Sequence, residues 1–203
     1  MDKRKLYYIE ETHAYYYDGV KIPSVTQILR EAGYTDTDFI PSEFADRGTF
    51  IHAITELADM QIIDYSIIPG EWVSFVHAYE EFLADKRPSI VETEELVLRE
   101  LNGRVYAGRR DRLLDISGVY YGADYKTGNY AKWHPLQLVA YFGTTMQLAD
   151  LYLKKNGDYK FRVLGDEEKK ESIEIFEAAL ISYWYNHKRD WAALKKTMSK
   201  EQG

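Results

Sequence analysis

The sequence predicts an α/β fold: a mixed central β-sheet flanked by helices, with an N-terminal β-meander. Three observations carry that prediction. Strand-like segments cluster between Ile90 and Lys126, with amphipathic helical stretches on either side. That cluster contains Asn102-Gly103, the strongest short hairpin signal in the chain. Residues 6 to 22 hold three short β-prone runs separated by turn residues.

The elements follow in order. Leu6 to Ile9, Ala14 to Tyr17 and Val20 to Ile22 form the meander, turned by Glu10-Glu11-Thr12-His13 and Asp18-Gly19. His13 reads as a solvated loop residue. Ser24 caps a short helix, Gln27 completes a capping box, and Ala32-Gly33 end it. A loop through Thr35 to Pro41 leads to a helix from Glu43 to about Met60, with Phe44, Ile51, Ile54, Leu57 and Ala58 on its buried side. Gly48 is costly inside a helix, so it predicts a close backbone approach or a helix start at that point. Glu71 to Asp85 is a helix whose stripe is Trp72, Phe75, Val76, Tyr79, Phe82 and Leu83. Ile90–Leu101, Arg104–Leu114 and Val119–Lys126 form an antiparallel meander. Pro135 opens a long helix carrying Leu136, Val139, Phe142, Met146, Leu148 and Leu151, with Lys154-Lys155 as its cationic last turn. His134 reads as its cap. Tyr159 to Leu164 is a further strand, and a last helix runs from about Glu167 to Met198 with a break near Asn186. Lys195 to Gly203 reads as a frayed polar tail.

Composition narrows the function classes. A chain of 203 residues suits one domain, residues 1–203. There is no cysteine, which excludes disulfides, thiolate zinc sites, iron–sulfur clusters and cysteine nucleophiles within this sequence. No apolar run is long enough to cross a bilayer, and the basic N-terminus lacks the apolar stretch of a secretory signal. A cytoplasmic protein with no membrane partner is the expectation. The net charge of −7 argues against a passive nucleic-acid coat but not against a metal-dependent enzyme. The 18 tyrosines are read first as strand formers and only second as base-stacking platforms.

Two stretches carry chemistry. Gly108-Arg109-Arg110-Asp111 lies on one arm of a hairpin, and Asp124-Tyr125-Lys126 on the other, across the turn Asp115-Ile116-Ser117-Gly118. Asp124 and Lys126 flank one residue, so on a strand they share a face. Two carboxylates and an ammonium at one spot suit a hard cation beside a water-activating group. An Asp-x-Lys triplet alone is common surface charge. A one-residue slip in the hairpin would send Asp111 to the other face. His52 alone reads as a packed or solvated helix residue. Glu56 shares its face and suits either a partner of His52 or an exposed charge. Glu94, Glu95 and Glu100 lie on the first strand of the meander, and the sequence does not choose which faces the site.

Together these motifs resemble the RecB-type branch of the PD-(D/E)XK nuclease superfamily, and phage-type single-domain exonucleases in particular. The family order is Gly-x-x-x-His, Gly-x-x-Asp, Asp/Glu-x-Lys and Gln-x-x-x-Tyr. It stands here as Gly48 to His52, Gly108 to Asp111, Asp124 to Lys126 and Gln137 to Tyr141. The resemblance implies a restriction-endonuclease-like core over residues 43–164, preceded by the meander and helix of residues 1–30 and followed by a helical segment over residues 167–203. It implies a DNA nuclease, best read as an exonuclease of phage or prophage recombination or of DNA repair. Asp111, Asp124, Lys126, Gln137 and Tyr141 would be catalytic. His52, Asp111, Asp124 and the Tyr125 carbonyl would hold Mg²⁺ or Mn²⁺. Arg47, Arg109, Arg110, Arg112 and Lys132 would grip DNA phosphates, although residues alternating along a strand cannot all reach one DNA face. No phosphate-binding Gly-x-x-x-x-Gly-Lys motif is present, so a helicase or a single-strand-annealing protein would be a separate partner. The rivals are a catalytically silent DNA-binding or assembly subunit and another carboxylate-based hydrolase.

Overall fold

The computed structural model describes residues 5–35 and 42–199. β1 (Leu6–Ile9), β2 (Ala14–Tyr17) and β3 (Val20–Ile22) form an antiparallel three-stranded sheet. Its tyrosines pair across strands: Tyr7 stacks on Tyr16 with ring centroids 5.2 Å apart, and Tyr8 meets Tyr15 at 4.7 Å. α1 (Val25–Glu31) follows, capped by Ser24 Oγ, which accepts from the Gln27 amide at 3.0 Å. Only half of the expected capping box forms, because the Gln27 side chain donates forward to Glu31. The Ala107 amide donates to the Pro23 carbonyl at 2.9 Å, which stitches this module to the main sheet.

The main sheet has five strands in the order β4 (Ser89–Leu101), β5 (Arg104–Ile116), β6 (Val119–Lys126), β7 (Gln147–Leu153), β8 (Tyr159–Val163). Neighbours are antiparallel except β6 and β7, which are parallel, so the sheet is mixed. The two hairpins turn at Asn102-Gly103 and Ser117-Gly118, all four with positive φ, as tight hairpin turns require. α2 (Ser42–Asp59) and α3 (Val73–Lys86) cover one face, packing Ile51, Ile54, Phe75, Val76, Tyr79 and Phe82 on Leu114, Ala123, Tyr125 and Leu151. The Phe44 side chain lies outside the described residues. α1, α4 (His134–Phe142), α5 (Asp166–Asn186) and α6 (Lys188–Ser199) build a second core cluster with Val97, Val105, Ala107 and Leu148. The break near Asn186 is present. The expected frayed tail is helical as far as Ser199.

One expected element is wrong. The long helix after Pro135 ends at Phe142, and residues 147–153 are β7. Gly143 stops the helix at φ 77°, a backbone region that favours glycine. Leu148 to Leu153 is buried at every position, because β7 lies inside the sheet with helices over both faces. Such a run has no period-2 signature, so its apolar residues also fit a helical stripe. Lys154 and Lys155 therefore belong to the turn into β8.

Two glycines set how closely α4 sits on the sheet. A Cβ on Gly108 would lie 2.4 Å from the Tyr141 ring, and one on Gly122 2.4 Å from the Phe142 ring. Gly48 does nothing of the kind. It lies inside α2, and among the described residues no atom outside its own helix turn lies within 4 Å of where its Cβ would be, so these neighbours give no close approach and the position is no helix start.

Candidate metal centre

A row of charged residues crosses the sheet. Thr93↔Arg112 and Glu95↔Arg110 are register pairs, which puts Glu94 opposite Asp111. The β5–β6 ladder ends at Arg112↔Ala123, so Asp111 and Asp124 are the next opposed positions. Asp124 pairs with Asp150 on β7, and Asp150 with Arg162 on β8. The hairpin register therefore brings Asp111 and Asp124 to one side, as the motif reading needs.

At one end of the row, His52, Glu94 and Asp111 offer three ligand atoms within 4.8 Å of one another. His52 Nδ1 lies 3.4 Å from Asp111 Oδ2 and 3.6 Å from Glu94 Oε1. α2 delivers the imidazole, and its Nε2 lies 3.1 Å from the Tyr125 carbonyl. Donation from Nε2–H to that carbonyl leaves Nδ1 with a lone pair for a cation. The Tyr125 carbonyl thus orients His52, and it stands beside the same group of acids. The Tyr125 amide donates to Asp111 Oδ2 at 2.8 Å. Burial opposes the charge of His52, but Asp111, Glu94 and Asp124 outweigh it and push its pKa up to about 9. One imidazole and two carboxylates fit a divalent ion of the Mg²⁺/Mn²⁺ kind, with the nitrogen favouring the softer of the two.

Glu94 is the candidate ligand among the three glutamates that the sequence left open. It holds a left-handed backbone, φ 48°, inside a strand. Glutamate adopts that conformation at a cost of about 1–3 kcal/mol. Arg112 lies behind it. Its guanidinium donates to Asp59 Oδ2 at 2.9 Å and to the Asp111 carbonyl at 2.9 Å, and reaches Glu94 Oε1 at 3.4 Å. Its side chain is 0% exposed. That overturns its expected place among the phosphate-gripping residues, since a buried, ion-paired guanidinium cannot meet DNA. Burial raises the Asp59 pKa against the opposing pull of Tyr79 and Arg112.

Further along the row, Asp124 is ion-paired with Lys126. Lys126 Nζ donates to Gln137 Oε1 at 2.7 Å, and Gln137 Nε2 donates to the Tyr141 hydroxyl at 3.3 Å. The four motifs thus meet physically, and Tyr141 fills the space that Gly108 leaves. Burial, together with repulsion from Asp111, pushes Asp124 up to about 7, against the pull of Lys126. Asp150 is fully buried and is also raised to about 7, by burial and by Asp124. It accepts from the Tyr152 hydroxyl, which in turn meets His134 Nδ1 at 2.9 Å. His134 is therefore a buried ring in a polar chain, beyond the cap expected of it, and burial and Lys126 push its pKa down to about 3. Asp150 has no strand signature around it in the sequence, because the buried run of β7 also fits a helical stripe. Its signal was a lone acid in an apolar run.

The triad opens onto a groove of about 390 Å³ lined by Gly48, Thr49, His52, Glu56, Glu94 and Arg109. Glu56 lines it too, and the described partners of His52 are Tyr125, Glu94 and Asp111. Arg109 lies over the Tyr8 ring at 5.1 Å. Arg110 is held by Glu92 and Glu95, and Arg47 donates to the Thr127 carbonyl at 3.1 Å. Lys132 is exposed in the loop before α4.

With this geometry in hand, comparison with known proteins adds little. No protein-family model matches the chain, and no curated protein matches it. Among solved structures, one from Eubacterium rectale described as a "Putative exonuclease" is similar at 12% identity and a TM-score of 0.42, covering 79% of this chain and 73% of that one. A structure described as SSO0001 is similar at 18% identity and a TM-score of 0.31, covering 74% of this chain and 84% of that one. Likeness this distant does not carry chemistry across. Among the described residues, no helix is long and apolar enough to cross a membrane.

Proposed function

We propose that the chain is a divalent-metal-dependent DNA nuclease that hydrolyses phosphodiester bonds, and that it works from DNA ends. The observation that carries this reading is the His52–Glu94–Asp111 group standing one strand from Asp124 and Lys126. The order of the four RecB-type motifs supports it as well. Mg²⁺ or Mn²⁺ would be held by His52, Glu94 and Asp111, with Asp124 adjacent. Bound there, such an ion polarises a phosphodiester oxygen and acidifies a water.

The chain's own residues do the rest. Tyr125 fixes the His52 ring. Lys126, held between Asp124 and Gln137, supplies positive charge for the phosphorane-like transition state. Gln137 and Tyr141 position that lysine. Arg47, Arg109 and Lys132 are the expected phosphate-facing cations. A role in DNA recombination or repair, in the cytoplasm and beside an annealing or helicase partner, follows from the same reading.

The test is digestion of end-labelled linear single- and double-stranded DNA and of a closed circle, with Mg²⁺, with Mn²⁺ and with EDTA. Linear substrates should shorten only with metal, and the circle should survive. Equal loss of all substrates in EDTA would refute a metal-dependent nuclease. Loss of the circle with metal would turn the reading to an endonuclease.

A further inference from the structure

Resting on that reading, we infer that the cavity between the β6–α4 loop and strands β7–β8 is a subsite for one unpaired nucleotide of a single-stranded substrate. The cavity measures about 500 Å³, and its walls include Asn129, Tyr130, Tyr152, Lys154, Lys160 and Arg162.

Charge is the first observation. The chain carries a net −7, yet this lining brings together three cations and no carboxylate. Lys154 and Lys160 are exposed. Arg162 turns inward to Asp150 and Glu168 and lies over the Tyr130 ring at 4.8 Å, so it steadies that ring. Shape is the second. Tyr130 is half exposed beside the lysines. A flat aromatic next to mobile ammonium groups suits a base face and its phosphates, and a base offers its face only when unpaired. A duplex would present phosphates alone.

Placement is the third observation. Lys126 pairs in register with Tyr152, and Tyr152 with Lys160. In-register neighbours share a sheet face, so the cavity lies on the face of Lys126 and Asp124. Its far wall stands two strand spacings away, about 10 Å. An adjoining cavity of about 670 Å³ shares Gly128, Asn129 and Lys154 with it and rounds the end of β7 to the α2/α3 face, where Arg47, Phe75, Leu153 and Lys155 line it. Cations therefore line a path that starts beside the acid row and leads away from it, as a strand held at one phosphate and threaded onward requires.

The experiment is fluorescence anisotropy of the full chain with a labelled oligothymidylate in EDTA, over a salt series, against a duplex of equal length. Lys154→Ala/Lys160→Ala should weaken single-strand binding about tenfold and flatten the salt slope by about 1.4, two phosphates at about 0.7 each. Tyr130→Ala should weaken it about 5- to 150-fold with the slope unchanged. Tyr130→Phe, which keeps the ring, should bind as the unaltered chain does and so control for folding. Unaltered binding by both the double lysine variant and Tyr130→Ala would overturn the subsite, as would equal losses for duplex and single strand. Because no metal is present, the two readings fail separately. Loss of binding in these variants with no cleavage by the unaltered chain sinks the nuclease and leaves the subsite. Cleavage with variant binding unchanged does the reverse.

Discussion

The acid row has an open end and a closed end, and the same side-chain chemistry behaves differently at each. Glu94 and Asp111 face His52, and Glu94 and His52 line a groove, with an exchangeable proton as the cation between them. Asp124 and Asp150 lie under α4, where Lys126 and Arg162 are permanent cations. A carboxylate whose counter-charge can leave is a ligand in waiting. A carboxylate with a built-in counter-ion resembles a buried salt bridge, whose main consequence is the orientation of its partner. The lesson concerns Lys126: its position is set from the closed end, while the group that could hold a cation stands at the open one.

The sharpest way to break that contrast is to neutralise one acid at each end. Asp111→Asn should lower metal-dependent cleavage by about 10³-fold and abolish Mn²⁺ binding in titration calorimetry. Asp150→Asn should leave Mn²⁺ affinity within about threefold, since it removes no donor of the triad. Equal losses of Mn²⁺ affinity at the two positions would erase the distinction.

Arg112 and Arg110 extend the contrast to the cations behind the row. Arg112→Met should cost about 3–5 kcal/mol in urea unfolding, because it strands the buried Asp59 carboxylate. Arg110→Ala, whose partners Glu92 and Glu95 are half exposed, should cost about 1 kcal/mol or less. Similar costs would mean that the Asp59–Arg112 pair is not the foundation of the open end.

Protons report on both ends at once. Asp124 and Asp150 go from the usual 3.8 to about 7 on folding, and His52 from 6.5 to about 9. Each binds its proton more tightly in the folded chain, so each contributes stability at low pH that is lost as pH rises. The carboxyl contribution is complete below about pH 4 and gone above about pH 7, and the His52 contribution runs from about 6.5 to about 9. Without metal, the thermal midpoint should fall as pH rises from 5 to 9, within the span of these shifts. Saturating Mn²⁺ replaces the His52 proton, so its stabilising effect should grow with pH, reaching about 2.7 kcal/mol at a hundredfold excess over Kd. A midpoint that rises with pH in EDTA would contradict the assignment of these groups.

The smallest effects come from the glycines. Gly108→Ala drives a methyl into the Tyr141 ring and should cost about 1–3 kcal/mol. Gly48→Ala meets open space in α2 and should gain about 0.5–1 kcal/mol. Chemical denaturation of both, side by side, measures how tightly the closed end is packed and how open the other is.

Much of this was legible in the chain. Asn102-Gly103 specifies its hairpin locally, because positive φ at both central residues is what that turn needs; the second turn, legible as Asp115 to Gly118, narrows to Ser117-Gly118 in the structure. Asp124 and Lys126 share a face by the period of a strand, but the strand expected to stop at Leu114 runs to Ile116, and that two-residue extension is what sets Asp111 opposite Asp124. The α3 stripe could be read from helical spacing, and its Phe75, Val76, Tyr79 and Phe82 are buried. β7 was not legible, since a strand buried on both faces has no alternation to read. Asp150 was missed with it. Glu94 could not be separated from Glu95, because its choice rests on a backbone irregularity within β4. Arg112 looked like a ligand for phosphate because a sequence does not show which arginine in a run is enclosed.

The sequence by itself therefore determined the outline of the Asp111–Asp124–Lys126 corner: Asp124 and Lys126 share a face of one strand, and Asp111 stands on the other arm of the same hairpin. Only the tertiary structure decided what surrounds that corner. α2 brings His52 across 73 positions to the Tyr125 carbonyl, β7 pairs in parallel to set Asp150 beside Asp124, and Arg112 turns inward to Asp59. These are contacts between segments far apart in the chain. Their geometry follows from how whole elements pack, which local side-chain periodicity does not encode.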